Sequence, residues 1–190
     1  MWSVTEEDIG TSAWNRFLKD GVIKPLGPTI ALPYDITPTP ALRRFATSQH
    51  VPVNMSLSGT GALWVRFGGE APAVLDVCVP ARRHIRQGSR GWPIRLHYST
   101  RPLSRVRGAR NAMIASSPQD GHAVESAPRA VVDALRWAPL EEAVPWVVMA
   151  AQHGVTPHQV QGELALLRPK DATAVRARNA WQMLYSAGVV

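Results

Sequence analysis

From position 77 to position 119 the chain carries nine arginines and no acidic residue. These are Arg82, Arg83, Arg86, Arg90, Arg95, Arg101, Arg105, Arg107 and Arg110, bracketed by Asp76 and Asp120. A block of like charge at this density repels itself and resists burial, so it must lie at a surface against an anionic partner or counterions. Each flank holds six cations against seven acids, so the net charge of +7 arises in this segment alone. Phosphate backbone is the commonest partner of arginine, which favours nucleic acid. The alternative is a solvated basic face, because a GC-rich genome also raises arginine, and 18 of the 21 cations are Arg. Such a bias exchanges Arg for Lys but does not remove Asp and Glu from 43 consecutive positions.

At 190 residues, 45% apolar and 18% charged, the rest of the chain is long and apolar enough to bury a core. Its longest apolar stretch, near Val144 to Ala151, is interrupted by Pro145 and falls short of the roughly 18 to 20 residues that cross a bilayer. The opening MWSVTEED lacks the basic start and apolar middle of a signal peptide, so a cytoplasmic protein is expected. The single cysteine, Cys78, lies in an apolar run and reads as a buried, inert thiol.

Thr5 followed by Glu6, Glu7 and Asp8 predicts a capped acidic turn closed by Gly10. Thr11 or Ser12 is then expected to cap a second helix, with Ala13, Trp14, Phe17 and Leu18 on its apolar face and Asn15, Arg16 and Lys19 opposite. Gly21 ends it, and Val22 to Lys24, the turn Pro25-Leu26-Gly27-Pro28 and Thr29 to Leu32 predict a β-ribbon. Helix, turn, helix, ribbon is the order of a winged helix. Prolines 33, 38 and 40 mark a linker, which places a boundary between a module at 1–37 and a second domain at 38–190.

In the second domain, Pro40 opens a helix with Ala41, Leu42 and Phe45 facing inward. Val51 to Leu57, Ala73 to Val79 and Ile94 to Tyr98 read as strands, and Ser58-Gly59-Thr60-Gly61 leads into a short helical segment. Four helices follow, starting near Ser126, Pro139, Thr156 and Lys170. The expected fold is α+β: a small N-terminal winged-helix module, then an α/β domain with a helical C-terminal tail.

Much chemistry is missing. Three lysines leave no P-loop, and no Glu-x-Lys follows Asp76 to complete a nuclease-type metal site. The six histidines offer no HExxH, and His153 and His158, five apart, leave a common helical face. No GxSxG elbow is present, and Glu141 and Glu142 are adjacent rather than facing. The Ser58-Gly-Thr-Gly turn is read as tight packing rather than a phosphate cradle. A non-enzymatic protein without metal or cofactor is expected. Trp92, before Pro93, reads as a packing residue, and Trp137, Trp146 and Trp181 as core or interface.

Four stretches together resemble the AbiEi-type antitoxins, which join an N-terminal winged helix to a C-terminal antitoxin domain. TEEDIGTSAWNRFLKDGVIKPLGPTIALP, from Thr5, is similar to the family's helix-turn-helix and wing, although the start leaves little room for the usual first helix. Leu57 to Leu63 resembles the small-residue turn that opens the antitoxin domain. Val77-Cys78-Val79-Pro80-Ala81-Arg82-Arg83 resembles its strand ending in Val-Pro before a basic turn. Glu125 to Asp133 resembles its Thr-x-x-Arg-Thr-h-x-Asp helix start.

The resemblance implies an antitoxin that represses its own operon by binding double-stranded operator DNA and counteracts a nucleotidyltransferase-like toxin. Ser12, Asn15, Arg16 and Lys19 would enter the major groove, with Lys24 and the ribbon on the backbone. The alternative is that Arg16 and Lys19 pair with Glu6, Glu7 or Asp20 on a solvated face. Arg82, Arg83, Arg86 and Arg90 would hold a second phosphate run or an acidic toxin surface. A direct protein-binding neutraliser, and a stand-alone repressor of phage or mobile-element origin, are the competing readings.

Overall fold

A computed structural model of the chain describes residues 3–52, 55–81, 91–99 and 122–190. It is a mixed α/β structure with two sheets. At its start, the Thr5 hydroxyl accepts the Asp8 N–H at 3.2 Å while the Asp8 carboxylate accepts the Thr5 N–H at 2.8 Å. This reciprocal capping box starts α1 (Glu6–Ile9), which lasts one turn before Gly10 redirects the chain at a φ of +77°. α2 (Thr11–Lys19) follows, and its expected cap is corrected: Gly10 is the N-cap, no side chain caps it, and Thr11 is already helical. The positive φ at Gly10 supplies the change of direction that a hydroxyl cap would otherwise anchor one residue later.

β1 (Val4–Thr5), β2 (Ile23–Pro25) and β3 (Ile30–Pro33) form an antiparallel sheet in the order β1-β3-β2, with Val4 opposite Ala31 and Lys24 opposite Leu32. β1 has no sequence signature, since two residues carry no period; it exists because β3 offers it a ladder partner. Side chains of β3 alternate between two cores. Ala31 packs with Trp14 and Ile23, joined by Ile9, Phe17 and Leu18, while Ile30 and Leu32 belong to the main core of the chain. β3 is thereby buried on both faces.

After the proline-marked linker, the Thr39 hydroxyl accepts the Leu42 N–H and Pro40 takes the first position of α3 (Pro40–Ser48). Its inward face is corrected. Arg43, Ala46 and Thr47 are buried, Leu42 and Phe45 are half-buried, and Ala41 is exposed. Arg43 turns inward because two backbone carbonyls await it, Val65 O at 3.1 Å from Nε and Pro38 O at 2.7 Å from Nη1.

The second sheet has the order β6-β5-β4-β7. β4 (Ser56–Ser58) runs antiparallel to β5 (Leu75–Pro80), β5 runs parallel to β6 (Ile94–Ser99), and β4 runs parallel to β7 (Ala123–Val124). The strand expected over 51–57 is shorter than the reading, and β7 is again too short to have shown a period. α4 (Gly59–Phe67) starts at once from β4, its first seven residues all buried. Small residues are needed there: a methyl group on Gly61 would meet Leu57 Cδ1 at 3.0 Å and Leu75 Cδ2 at 3.2 Å.

α5 (Ala127–Trp137) is the central helix and packs against α4, α6 (Leu140–Gln152), α7 (Pro157–Ala165) and α8 (Ala172–Ser186). Every residue from Arg129 to Leu135 is buried. At such a position Leu135→Ala would cost about 2–5 kcal/mol. The four helices begin within two residues of where the sequence places them, with Thr156 and Asp171 as side-chain caps. Among the described residues no helix is long and apolar enough to cross a membrane.

Candidate nucleic-acid interface

The apolar half of α2 is fixed by Trp14, 6% exposed, against Ile23 and Ala31. That anchoring turns the opposite half outward. Ser12, Asn15, Arg16 and Lys19, at relative positions 0, 3, 4 and 7, are all exposed and share one face. The structure therefore brings together four of the nine predicted site residues. Arg16 Nε lies 3.4 Å from Asp20, a surface pair with the Arg16 side chain 79% exposed, which is worth little and is readily exchanged for a phosphate. Lys19 makes no ion pair among the described residues. Neither cation pairs with Glu6 or Glu7.

Lys24, half-buried on β2, holds its ammonium 5.4 Å from the centre of the Tyr34 ring. Tyr34, immediately after β3, is 66% exposed and belongs to the same ribbon surface, although its isolated place between Pro33 and Asp35 gave the sequence no reason to single it out. The exposed residues of α1 include Glu7 and Asp8, and the cations among residues 3–37, Arg16, Lys19 and Lys24, stand on α2 and β2.

Arg82, Arg83, Arg86 and Arg90 lie outside the described residues, as do Arg101, Arg105, Arg107 and Arg110. Arg95, on β6, is described, and it is engaged within the fold: Nη1 donates to Trp137 O at 3.2 Å and lies 3.7 Å from Asp76. Elsewhere guanidinium groups act as internal struts. Arg66 donates to the Val124 and Glu125 carbonyls, Arg176 to those of Arg136 and Ala138, and Arg178 to those of Leu164 and Leu167. Arg176 and Arg178 thus donate to carbonyls at and just beyond the C-terminal ends of α5 and α7. Arginine count alone overstates the cations available to a partner.

Between β4 and α5 lies a buried polar cluster that the sequence shows only as fragments of a motif. Glu125, Arg129 and Asp133 are spaced by four, so α5 and its lead-in carry them on one face, and all three are buried. Arg129 reaches Glu125 at 3.4 Å and Asp133 at 3.7 Å, and Arg136 binds Asp133 at 2.9 Å. Ser58 donates to Asp133 at 2.8 Å, which fastens β4 to α5. Burial pushes the Asp133 carboxyl up from its ordinary range, against the opposing pull of Arg136, the Ser58 hydrogen bond and Arg129. The periodicity was visible; its burial was not, because charged residues are buried only when a fold supplies their partners.

Two further histidine environments complete the interior. His97 hydrogen-bonds Asp76 at 2.7 Å and stacks on Trp137 with ring centroids 3.6 Å apart. His122 faces Thr47 at 3.1 Å, and burial, with the nearby Arg44 charge, drives its pKa down to about 4. Cys78 is fully buried and its thiol is pushed up to about 12, chiefly by burial, in keeping with the expected inert role. Trp92 is 5% exposed, with its indole N–H on Pro72 O, a packing residue as predicted. Trp181 is buried, and Trp137 and Trp146 are half-buried.

Compared with family models, with curated proteins and with solved structures, the chain matches none.

Proposed function

We propose that this chain is a non-enzymatic, DNA-binding antitoxin of the AbiEi type, acting in the cytoplasm, that represses its own operon and counteracts a nucleotidyltransferase-like toxin. The observation that carries the reading is the outward face of α2, where Ser12, Asn15, Arg16 and Lys19 stand together on a helix locked to a ribbon by Trp14. Support for a winged helix comes from the order β1-α1-α2-β2-β3 with β1 closing on β3, the arrangement of that module without its first helix. Hydroxyl and amide groups on such a face read bases, while Arg16, Lys19 and Lys24 take phosphates. The first turn of α2, free of a side-chain cap, adds backbone N–H groups to the anion-facing end.

Support for the antitoxin part is narrower. The strand Leu75–Pro80, the buried Ser58-Gly59-Thr60-Gly61 turn and the Arg129–Asp133 pair each give a physical role to a motif on which the resemblance rests. The test is binding of fluorescently labelled DNA from the protein's own upstream region, measured across a salt series. A drop in affinity of a hundredfold or more between about 50 and 200 mM salt is expected for a handful of phosphate contacts. An affinity that stays level across that range ends the DNA reading.

A second reading, direct neutralisation by protein contact, is favoured by the apolar side chains exposed on the helical tail. Leu166, Val175, Met183 and Tyr185 are each 42% exposed or more. If this reading is correct, Met183→Lys abolishes toxin neutralisation while leaving DNA affinity intact.

A further inference from the structure

Between the ribbon turn and α4 the structure holds a cavity of about 790 Å³, within the range of small-molecule sites. One wall is the turn Pro25-Leu26-Gly27-Pro28, and the other is the segment from Phe67 to Ala73. The floor is aromatic: Trp64 and Trp92 pack edge to face with ring centroids 5.3 Å apart. Their indole N–H groups are taken by Gly69 O at 3.2 Å and Pro72 O at 2.7 Å, so these rings hold the wall in place and turn apolar surface to the cavity. A methyl group on Gly27 would stand 2.8 Å from the Trp92 ring, which shows how closely the turn rests on that floor.

Arg43 is the one cation lining this cavity among the described residues, and it is 7% exposed. A guanidinium offers five N–H donors, and two are used here, on Val65 O and Pro38 O. Nη2 makes no hydrogen bond among the described residues. No described carboxylate comes within ion-pair distance of Arg43, and burial pulls its pKa below the ordinary value with no acid to offset it. Gly68, at a φ of +88°, lies so close that a methyl group there would meet Nη1 at 3.2 Å, so the backbone clamps the guanidinium without neutralising it. A buried, unneutralised charge facing a cavity is electrostatically incomplete.

We infer that this cavity is a binding site for a small organic monocarboxylate, its anion held by Arg43 and its apolar body laid against Trp64, Trp92 and Phe67. One guanidinium with spare donors suits the two oxygens of a carboxylate. A polyanion such as a nucleotide fits less well, because Glu70 stands exposed among the lining residues and no second cation lines the site among the described residues. The inference does not depend on the DNA reading, although the ribbon turn that forms one wall is also the part that reading would set against DNA.

The test is a titration of the full-length, ¹⁵N-labelled protein with 2-naphthoate and, separately, with the neutral 2-naphthamide, following the indole N–H signals of Trp64 and Trp92. Naphthoate is expected to move both signals saturably and to bind at least about tenfold more tightly than the amide, since the charge-assisted pair is lost in the latter. Arg43→Gln should bring naphthoate to the amide's affinity. Because Arg43 also anchors two carbonyls and its loss can unfold the chain, Ala73→Phe at the exposed rim provides a second variant that fills the mouth without touching Arg43; it should abolish the naphthoate shifts at unchanged melting temperature. Equal affinities for acid and amide, no saturable shift with naphthoate, undiminished binding to a folded Arg43→Gln protein, or undiminished binding to Ala73→Phe would each overturn the inference.

Discussion

Ser58 donates a hydrogen bond to Asp133 at 2.8 Å, and through that contact the end of a strand is tied to the central helix. Asp133 is also the shared partner of Arg129 and Arg136, so the two substitutions at this contact should differ in kind. Ser58→Ala removes one donor from a buried carboxylate and is expected to lower stability by about 1–3 kcal/mol. Asp133→Ala leaves two arginines without their common carboxylate and should cost about 3–5 kcal/mol. Urea denaturation of both variants measures the difference; equal losses would mean that the ion pairs add nothing to the hydroxyl contact.

His122 sets a pH dependence. In the unfolded chain this histidine takes a proton near its ordinary 6.5, whereas the fold refuses it until about pH 4. The unfolded state therefore binds more protons across that window, and stability falls as pH drops through it, by about 3 kcal/mol in all. His50, whose pKa burial also lowers, acts in the same direction. The raised carboxyl of Asp133 acts oppositely, since a fold that favours the protonated acid gains as pH falls. Comparing wild type with His122→Asn isolates the histidine: the variant's denaturation midpoint should change less between pH 7.5 and pH 5. Parallel pH curves for the two proteins would refute the assignment.

Cys78 should be silent until the chain opens. Fully buried, with its thiol pushed up to about 12, it has almost no thiolate at pH 8 and no route for a reagent. Labelling by a thiol-reactive disulfide reagent is expected to follow global unfolding, complete in denaturant and negligible without it. Rapid labelling of the native protein would contradict the buried placement.

On α2 the charged and uncharged groups should separate by readout. Arg16→Ala and Lys19→Ala are each expected to lower the slope of log affinity against log salt by about one, with similar losses on operator and unrelated DNA. Asn15→Ala should instead leave the slope alone and reduce discrimination between the two DNAs, by about 1–3 kcal/mol if it reads a base. If Asn15→Ala weakens binding to both DNAs equally, its side chain does not read sequence.

The sequence alone determined where most of the helices begin and which face of α2 is apolar. Capping residues such as Thr5, Thr39 and Thr156 act on N–H groups within their own turn, and the spacing of Trp14, Phe17 and Leu18 declares a helix face without reference to anything distant. Tertiary structure alone decided which charges are spent internally. Ala41, expected inside, is exposed and Arg43 is buried, because carbonyls at Pro38 and Val65 are brought to Arg43, and Asp76 reaches Arg95 and His97 only once β5 and β6 pair. The same holds for β1 and β7, two-residue strands made by their ladders rather than by their own pattern. A local signal is written in neighbouring residues, whereas the burial of a charge is settled by partners far along the chain, which no window of sequence contains.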